Sequence, residues 1–184
     1  MNCIFNKNDV VIVNGKEYAV KTLLGKGKGG YSYLVEKDRN FFVLKQIHHE
    51  PCSYYNFGNK IQAEYCDYQK LIDAGIRIPK MLEIDFSSEK IVKEYIDGQT
   101  IFELVKKDLP VDDYLIAVRD MADKAKNNGI NIDYFPTNFV VNGNLIYYVD
   151  YECNAYSDEW NFENWGVKYW SKTAEFIEYL RNCK

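Results

Sequence analysis

Three glycines stand in G-x-G-x-x-G spacing at Gly25, Gly27 and Gly30, inside the stretch LLGKGKGGYSYLVEK. This spacing opens a dinucleotide-binding βαβ unit, covers the phosphates of a nucleotide, or makes a loose turn. Further on, Lys45 stands in the otherwise apolar FFVLKQI, and Glu64 in IQAEY follows nineteen residues later. A lone Lys or Glu is ordinarily a solvated surface group, but the apolar setting of Lys45 argues against that. The stretch NIDYFPTNFVV holds Asp133 and Asn138 five positions apart, and YYVDYE places Asp150 twelve positions after Asn138. Alone, Asp133 would be a turn former. Taken with a phosphate loop, the oxygens of Asn138 and Asp150 are hard ligands of the kind that magnesium ions on a triphosphate require.

The elements that must position these residues follow from periodicity. DVVIV and KEYAVKTLL flank Asn14-Gly15, a strong hairpin signal, and YSYLVEK and FFVLKQI flank the turn DRN. The glycine loop therefore joins strand to strand. A dinucleotide loop must run into a helix whose N-terminus meets the pyrophosphate, so that reading falls, and no Gly-Lys-Ser/Thr closes a Walker loop. Over 59–74 the residues Ile61, Tyr65, Tyr68, Leu71 and Ile72 recur at helical spacing, with Gly75 as a C-terminal cap. MLEID and KIVKEYI read as two further strands, and DGQT breaks the pattern. IFELVKK and VDDYLIAVRDMADKAKNNG then read as helices, with Val111, Leu115, Val118, Met121, Ala122 and Ala125 lining one face of the second and Gly129 just past its end. NFVV and LIYYVDY flank an Asn-Gly turn, and SKTAEFIEYLRNCK closes the chain as an amphipathic helix.

Composition bounds the partners. The 184 residues are 47% hydrophobic and 27% charged, which excludes a disordered chain. A net charge of −4 gives no basic footprint for nucleic acid or an anionic membrane, and no apolar run has spanning length. Five scattered cysteines with no C-x-x-C pair suggest reduced thiols, and the adjacent His48 and His49 would point to opposite faces of a strand and so would not share a metal. The start of the chain lacks the basic-then-apolar order of a signal peptide, so the expected location is the cytoplasm.

The series glycine loop, Lys45, Glu64, D-x-x-x-x-N and Asp150 resembles the protein-kinase-like superfamily over roughly residues 20–152. The resemblance implies an α+β, bilobal fold with an antiparallel-sheet N-lobe and a truncated helical C-lobe. It implies one domain over 1–184, with the first lobe at 1–95, a hinge at 94–98 and a reduced second lobe at 99–184. It implies ATP and Mg2+ as cofactors, with Gly25, Gly27, Gly30 and Lys45 around the phosphates and Glu64 fixing Lys45. In IVKEYIDG the backbone of Glu94 and Ile96 would hold the adenine, with Lys93 as gatekeeper. Asp133 would deprotonate the acceptor hydroxyl, and Asn138 and Asp150 would bind metal.

Departures from that pattern bear on the acceptor. Asn131-Ile132-Asp133 replaces H-R-D, Asp150-Tyr151-Glu152 replaces D-F-G, and Phe135 stands where a lysine is usual. With no arginine before Asp133, control by loop phosphorylation is not expected. VDYE is similar to the signature of choline and aminoglycoside phosphotransferases, the short second lobe resembles minimal kinases of the RIO/Bud32 type, and small bacterial proteins of this build are often called serine/threonine kinases. A protein Ser/Thr hydroxyl is the favoured acceptor, and a small-molecule alcohol is the alternative. A nucleotide-binding pseudokinase acting as an interaction module is a further reading, motivated by Asn131 and Phe135. The segment with Trp160, Trp165 and Trp170 reads as packed core or as an aromatic wall for a cationic acceptor.

Overall fold

Two-residue turns set the register of the first sheet. Val13 faces Lys16 across Asn14 and Gly15, whose φ values are 47° and 78°, and Lys37 faces Asn40 across Asp38 and Arg39 at 51° and 65°. Left-handed backbone at both central positions matches the twist of the flanking strands, which is why Asn-Gly is such a strong signal. The structure, a computed structural model, describes residues 4–51 and 58–182, so Cys3, Cys52 and Cys183 lie outside the described residues.

The chain divides into two compact units, Met1–Cys66 with Pro79–Tyr95, and Asp67–Ile78 with Ile96–Lys184. The first unit carries strands β1 (Val10–Val13), β2 (Lys16–Lys26), β3 (Gly30–Lys37), β4 (Asn40–Ile47), β5 (Met81–Asp85) and β6 (Lys90–Glu94). They form one antiparallel sheet in the order β1-β2-β3-β4-β6-β5. Helix α1 (Lys60–Asp73) starts in this unit and ends in the other. The sheet curls until its edges meet. Lys16 at the start of β2 pairs with Glu83 of β5, and the Asn14 side-chain amide donates to Glu83 at 3.0 Å and to the Ile84 carbonyl at 3.1 Å. Inside the curl, alternate residues Val11, Val13, Tyr18, Val20, Tyr33 and Val35 form the apolar core, as a period of two dictates. Two register shifts in β2, between Val20 and Thr22 and between Leu23 and Gly25, bend the strand as it approaches the glycine loop.

The second unit holds α2 (Ile101–Lys106), α3 (Asp112–Asn127), α4 (Ala174–Asn182) and short strands β7 (Gln99–Thr100), β8 (Ile130–Ile132), β9 (Phe139–Asn142), β10 (Leu145–Tyr148) and β11 (Cys153–Ala155). DGQT is more than a break. Thr100 caps α2 by accepting the Glu103 N–H at 3.1 Å while the Glu103 carboxylate accepts the Thr100 N–H at 2.9 Å, and Gln99 and Thr100 pair with Val141 and Val140 of β9. The second hairpin is displaced by one residue from expectation: Asn142 pairs with Leu145, so the central residues are Gly143 and Asn144, with positive φ at Gly143. Helix α1 ends as the glycine signal suggests. Gly75, at φ 71°, donates to the Ile72 carbonyl, and Ile76 donates to that of Leu71. Ile72 itself is exposed, since adjacent helical residues point about 100° apart and Leu71 holds the buried face. Among the described residues no helix is long and apolar enough to cross a membrane.

Close approach fixes one glycine of the second unit. A Cβ on Gly98 would lie 1.9 Å from the Val141 carbonyl oxygen, a backbone atom that cannot swing aside. Gly98→Ala is expected to lower stability by about 3 kcal/mol, at the upper end of overpacking penalties, whereas Gly25→Ala, with nothing within 4 Å of its new Cβ, leaves the melting temperature nearly unchanged. Thermal melts of the two variants check this.

Candidate functional site

The first unit brings together the glycine loop, Lys45 and Glu64. The loop is the tip of the β2–β3 hairpin, closed by the Gly27 N–H donating to the Gly30 carbonyl at 2.9 Å. Gly30 opens β3 against β4, where a Cβ would meet the Gln46 carbonyl oxygen at 2.5 Å, so the third glycine of the triplet is required by strand packing. Gly25 and Gly27 leave open space. Lys45 lies midway along β4 opposite Ser32 of β3 and Ile91 of β6. Its ammonium is 2.8 Å from a Glu64 carboxylate oxygen on α1, and the two side chains are only 12% and 10% exposed. A Cβ at Gly29 would lie 3.7 Å from that ammonium, so the cation sits directly under the loop. Among the described residues the other Glu64 oxygen, Oε1, is buried with no hydrogen-bond partner.

The glycine loop is also held from below by two groups that the sequence did not assign to it, His48 and Lys60. The buried His48 places its Nε2 2.9 Å from the Gly27 carbonyl oxygen, so this nitrogen carries the proton, while Nδ1 accepts the Glu50 N–H at 3.2 Å. Lys60, buried at the start of α1, donates to the His48 carbonyl at 2.6 Å and to the Lys28 carbonyl at 3.2 Å. A lysine at the start of a helix reads as solvated from sequence; only the fold reveals that it points inward. His49 turns elsewhere, to Glu89 at 2.6 Å.

The second unit brings together Asp133, Asn138 and Asp150. Asn138 ends a 3₁₀ turn, Pro136–Asn138, immediately before β9, and Asp150 lies just past the end of β10. Because Phe139 pairs with Tyr148, the hairpin folds these two flanks together, and the Val149 N–H donates to the Asn138 carbonyl at 2.8 Å. The twelve-residue spacing read from the sequence is thus the length of a hairpin. Asp133 follows β8, its Oδ1 accepts the Phe135 N–H at 3.0 Å, and its carbonyl accepts from the Asn138 amide at 3.4 Å. The Asp133 N–H donates to the Tyr148 hydroxyl at 3.3 Å. Burial holds the Asp133 carboxyl above the usual carboxylate range; the Phe135 N–H opposes this, and the charges of Asp150 and Glu152 reinforce it. The Asp150 Oδ1 accepts the N–H of Tyr151 at 2.8 Å.

Among the described residues no three His, Cys, Asp or Glu side chains gather into a metal-holding set. Magnesium nevertheless fits the donor chemistry, because it usually takes one or two protein oxygens and fills its octahedron with phosphate oxygens and water. Asn138 and Asp150 are two such donors. Cys153 offers no nucleophile: burial, with Asp67 nearby, pushes its thiol up to about 12.

Phe135 lies within an aromatic cluster, its ring centroid 4.7 Å from that of Tyr179, 5.1 Å from Tyr169 and 6.4 Å from both Trp165 and Phe102. The three tryptophans have different fates. Trp170 is buried and donates its indole N–H to the Tyr134 carbonyl at 2.8 Å, Trp165 is half-buried, and Trp160 is 51% exposed. Glu94 ends β6, with its N–H donated to the Lys80 carbonyl at 2.9 Å, and Lys93 beside it is buried. Ile96 belongs to the second unit and buries its side chain.

No family model matches the sequence, and no curated protein matches it. In three dimensions the chain is similar to a BubR1 kinase domain, with a TM-score of 0.56 at 17% identity over 79% of this chain and 49% of that one. The chain therefore spans about half the length of the kinase domain it matches. With the curled antiparallel sheet of the first unit and the helices and short strands of the second, this gives the chain a protein-kinase-like α+β fold.

Two expectations follow from the electrostatics. Lys45→Met strands the Glu64 carboxylate in a nearly dry site, so it should cost about 3–5 kcal/mol, and adding Glu64→Gln should recover most of the loss in chemical denaturation. For Asp133, a folded-state pKa above the unfolded value means that stability falls as pH rises from the unfolded pKa through the folded one. Asp133→Asn, which keeps an oxygen for the Phe135 N–H, should therefore melt higher than wild type at pH 7. The gap should close as the pH is lowered through the titration of Asp133.

Proposed function

We propose that the chain is an ATP- and magnesium-dependent phosphotransferase whose acceptor is a hydroxyl, with a protein Ser or Thr as the favoured substrate. The observation that carries this reading is the buried Lys45–Glu64 ion pair beneath the glycine loop. A buried pair of this kind contributes little net stability, so a cation fixed under a glycine hairpin calls for another use, and holding phosphate oxygens is the use its chemistry fits.

In this reading the first unit handles the nucleotide. Lys45 binds phosphate oxygens, Glu64 fixes its direction, and the glycine loop lets backbone N–H groups approach the phosphates. The carbonyl of Glu94, whose N–H already serves Lys80, would receive the adenine amine, and Ile96 would contribute its backbone N–H. The second unit handles the transfer. Asp133, its carboxyl made more basic by burial, accepts the proton of the acceptor hydroxyl as that oxygen bonds to the terminal phosphorus and the bond from phosphorus to the departing diphosphate breaks. Asn138 and Asp150 offer their side-chain oxygens to magnesium, which when bound neutralises charge on the phosphate oxygens.

One observation favours a different use. Phe135, where a cationic partner for the phosphoryl group would be expected, is packed among aromatic rings, so the transfer step lacks one positive charge. That suits a slow enzyme, an enzyme for a small alcohol, or a nucleotide-binding interaction module.

Incubation with radiolabelled ATP and magnesium, with generic protein acceptors and a metabolite extract, separates these. Wild type should transfer label in a magnesium-dependent way, and Asp133→Ala and Asp150→Ala should each lower transfer by about 100-fold or more. Equal labelling by all three proteins contradicts the enzyme reading; ATP-dependent stabilisation without transfer to any acceptor favours the interaction module.

A further inference from the structure

Resting on the phosphotransferase reading, we infer that Tyr148 is a positioning residue for the proposed base, its hydroxyl tying the backbone of Asp133 to the segment that carries Asp150. Tyr148 ends β10 and is completely buried, its ring 5.3 Å from that of Phe139. The hydroxyl donates to the Glu152 carbonyl at 2.7 Å and accepts the Asp133 N–H at 3.3 Å. The direction of both bonds is fixed, since a backbone carbonyl only accepts and a backbone N–H only donates. One oxygen atom therefore joins two loops that are nineteen residues apart in the chain, one bearing Asp133 and the other running from Asp150 to Glu152.

A phenylalanine would fill the same space, so core packing alone does not call for the oxygen. Its two partners are backbone groups of the residue read as the base and of the residue two past the metal-binding Asp150. Displacing a catalytic group by about 1 Å is enough to lower a rate about 100-fold, so a tether of this kind acts on turnover more than on affinity.

The test uses the full chain, ATP with magnesium, and release of inorganic phosphate to water, because that readout needs no identified acceptor. Tyr148→Phe should lower kcat by about 10- to 100-fold while leaving KM for ATP within about twofold, measured below the melting temperature of each protein. Tyr33→Phe is the matched control: it removes a buried hydroxyl that accepts the backbone N–H of Phe5 at 3.1 Å in the first unit, and it should keep the wild-type kcat. An unchanged kcat in Tyr148→Phe, or an equal fall in Tyr33→Phe, overturns the role of Tyr148 and leaves the phosphotransferase reading standing. A wild type that shows no magnesium-dependent turnover overturns that reading, and the role of Tyr148 with it. If Tyr148→Phe does not fold, amide hydrogen exchange on wild type decides: slow exchange at Asp133 supports the tether, and exchange at the free-peptide rate overturns it.

Discussion

The ammonium of Lys45 and the carboxylate of Glu64 have each given up almost all contact with water, and neither would be tolerable there without the other. At their 2.8 Å separation the attraction in a partly screened interior is about 6 kcal/mol, comparable with the several kcal/mol that each ion loses on leaving water. The two terms nearly cancel. What the pair provides is direction: a cation that cannot swing away, on a rigid central strand, below a hairpin whose glycines keep side-chain atoms out of the space above it. The six-stranded sheet, the bends in β2, the buried His48 and Lys60 and the start of α1 all act to hold that arrangement.

The second unit solves a different problem with a smaller device. Asn138 and Asp150, the two side chains proposed as metal ligands, are separated by twelve residues, and a four-residue hairpin ladder brings the chain on either side of it together. Asp133 is then linked to the same hairpin by hydrogen bonds rather than by sequence proximity. The arrangement crowds three acidic residues, Asp133, Asp150 and Glu152, near one another in a half-buried setting, which costs stability at neutral pH. Such a cost is tolerable where the charges have a use; burial first, and these neighbouring charges after it, raise the basicity of Asp133.

Much of this was legible in the sequence, for identifiable reasons. Asn14-Gly15 and the DRN turn announce hairpins because few residues accept left-handed backbone at adjacent positions. The strand-to-strand setting of the glycine loop follows from alternation on both sides, and it alone removes the dinucleotide reading. Asn-Gly-Asn at 142–144 permits two hairpin registers, and the local signal does not choose between them; pairing with Leu145 does. Strands β7, β8 and β11, two or three residues long, are too short for a period to show, and Asn131 and Asn154 have no strand preference to betray them. Long-range bonds are the least legible. Nothing local distinguishes Tyr148 from the fifteen other tyrosines, or Lys60 from a solvated lysine; the contacts that give them meaning come from residues far along the chain.

If the proposed phosphotransferase reading holds, Lys45 and Asp150 serve one reaction, and a double-mutant cycle on magnesium-dependent ATP turnover tests this most directly. The cycle compares Asp150→Asn with Lys45→Met, the latter made alongside Glu64→Gln so that no buried charge is stranded. Groups acting as a unit are strongly non-additive, so the combined variant should be little slower than the more damaged parent. Losses that multiply in full, or a wild-type rate in either parent, would contradict the account.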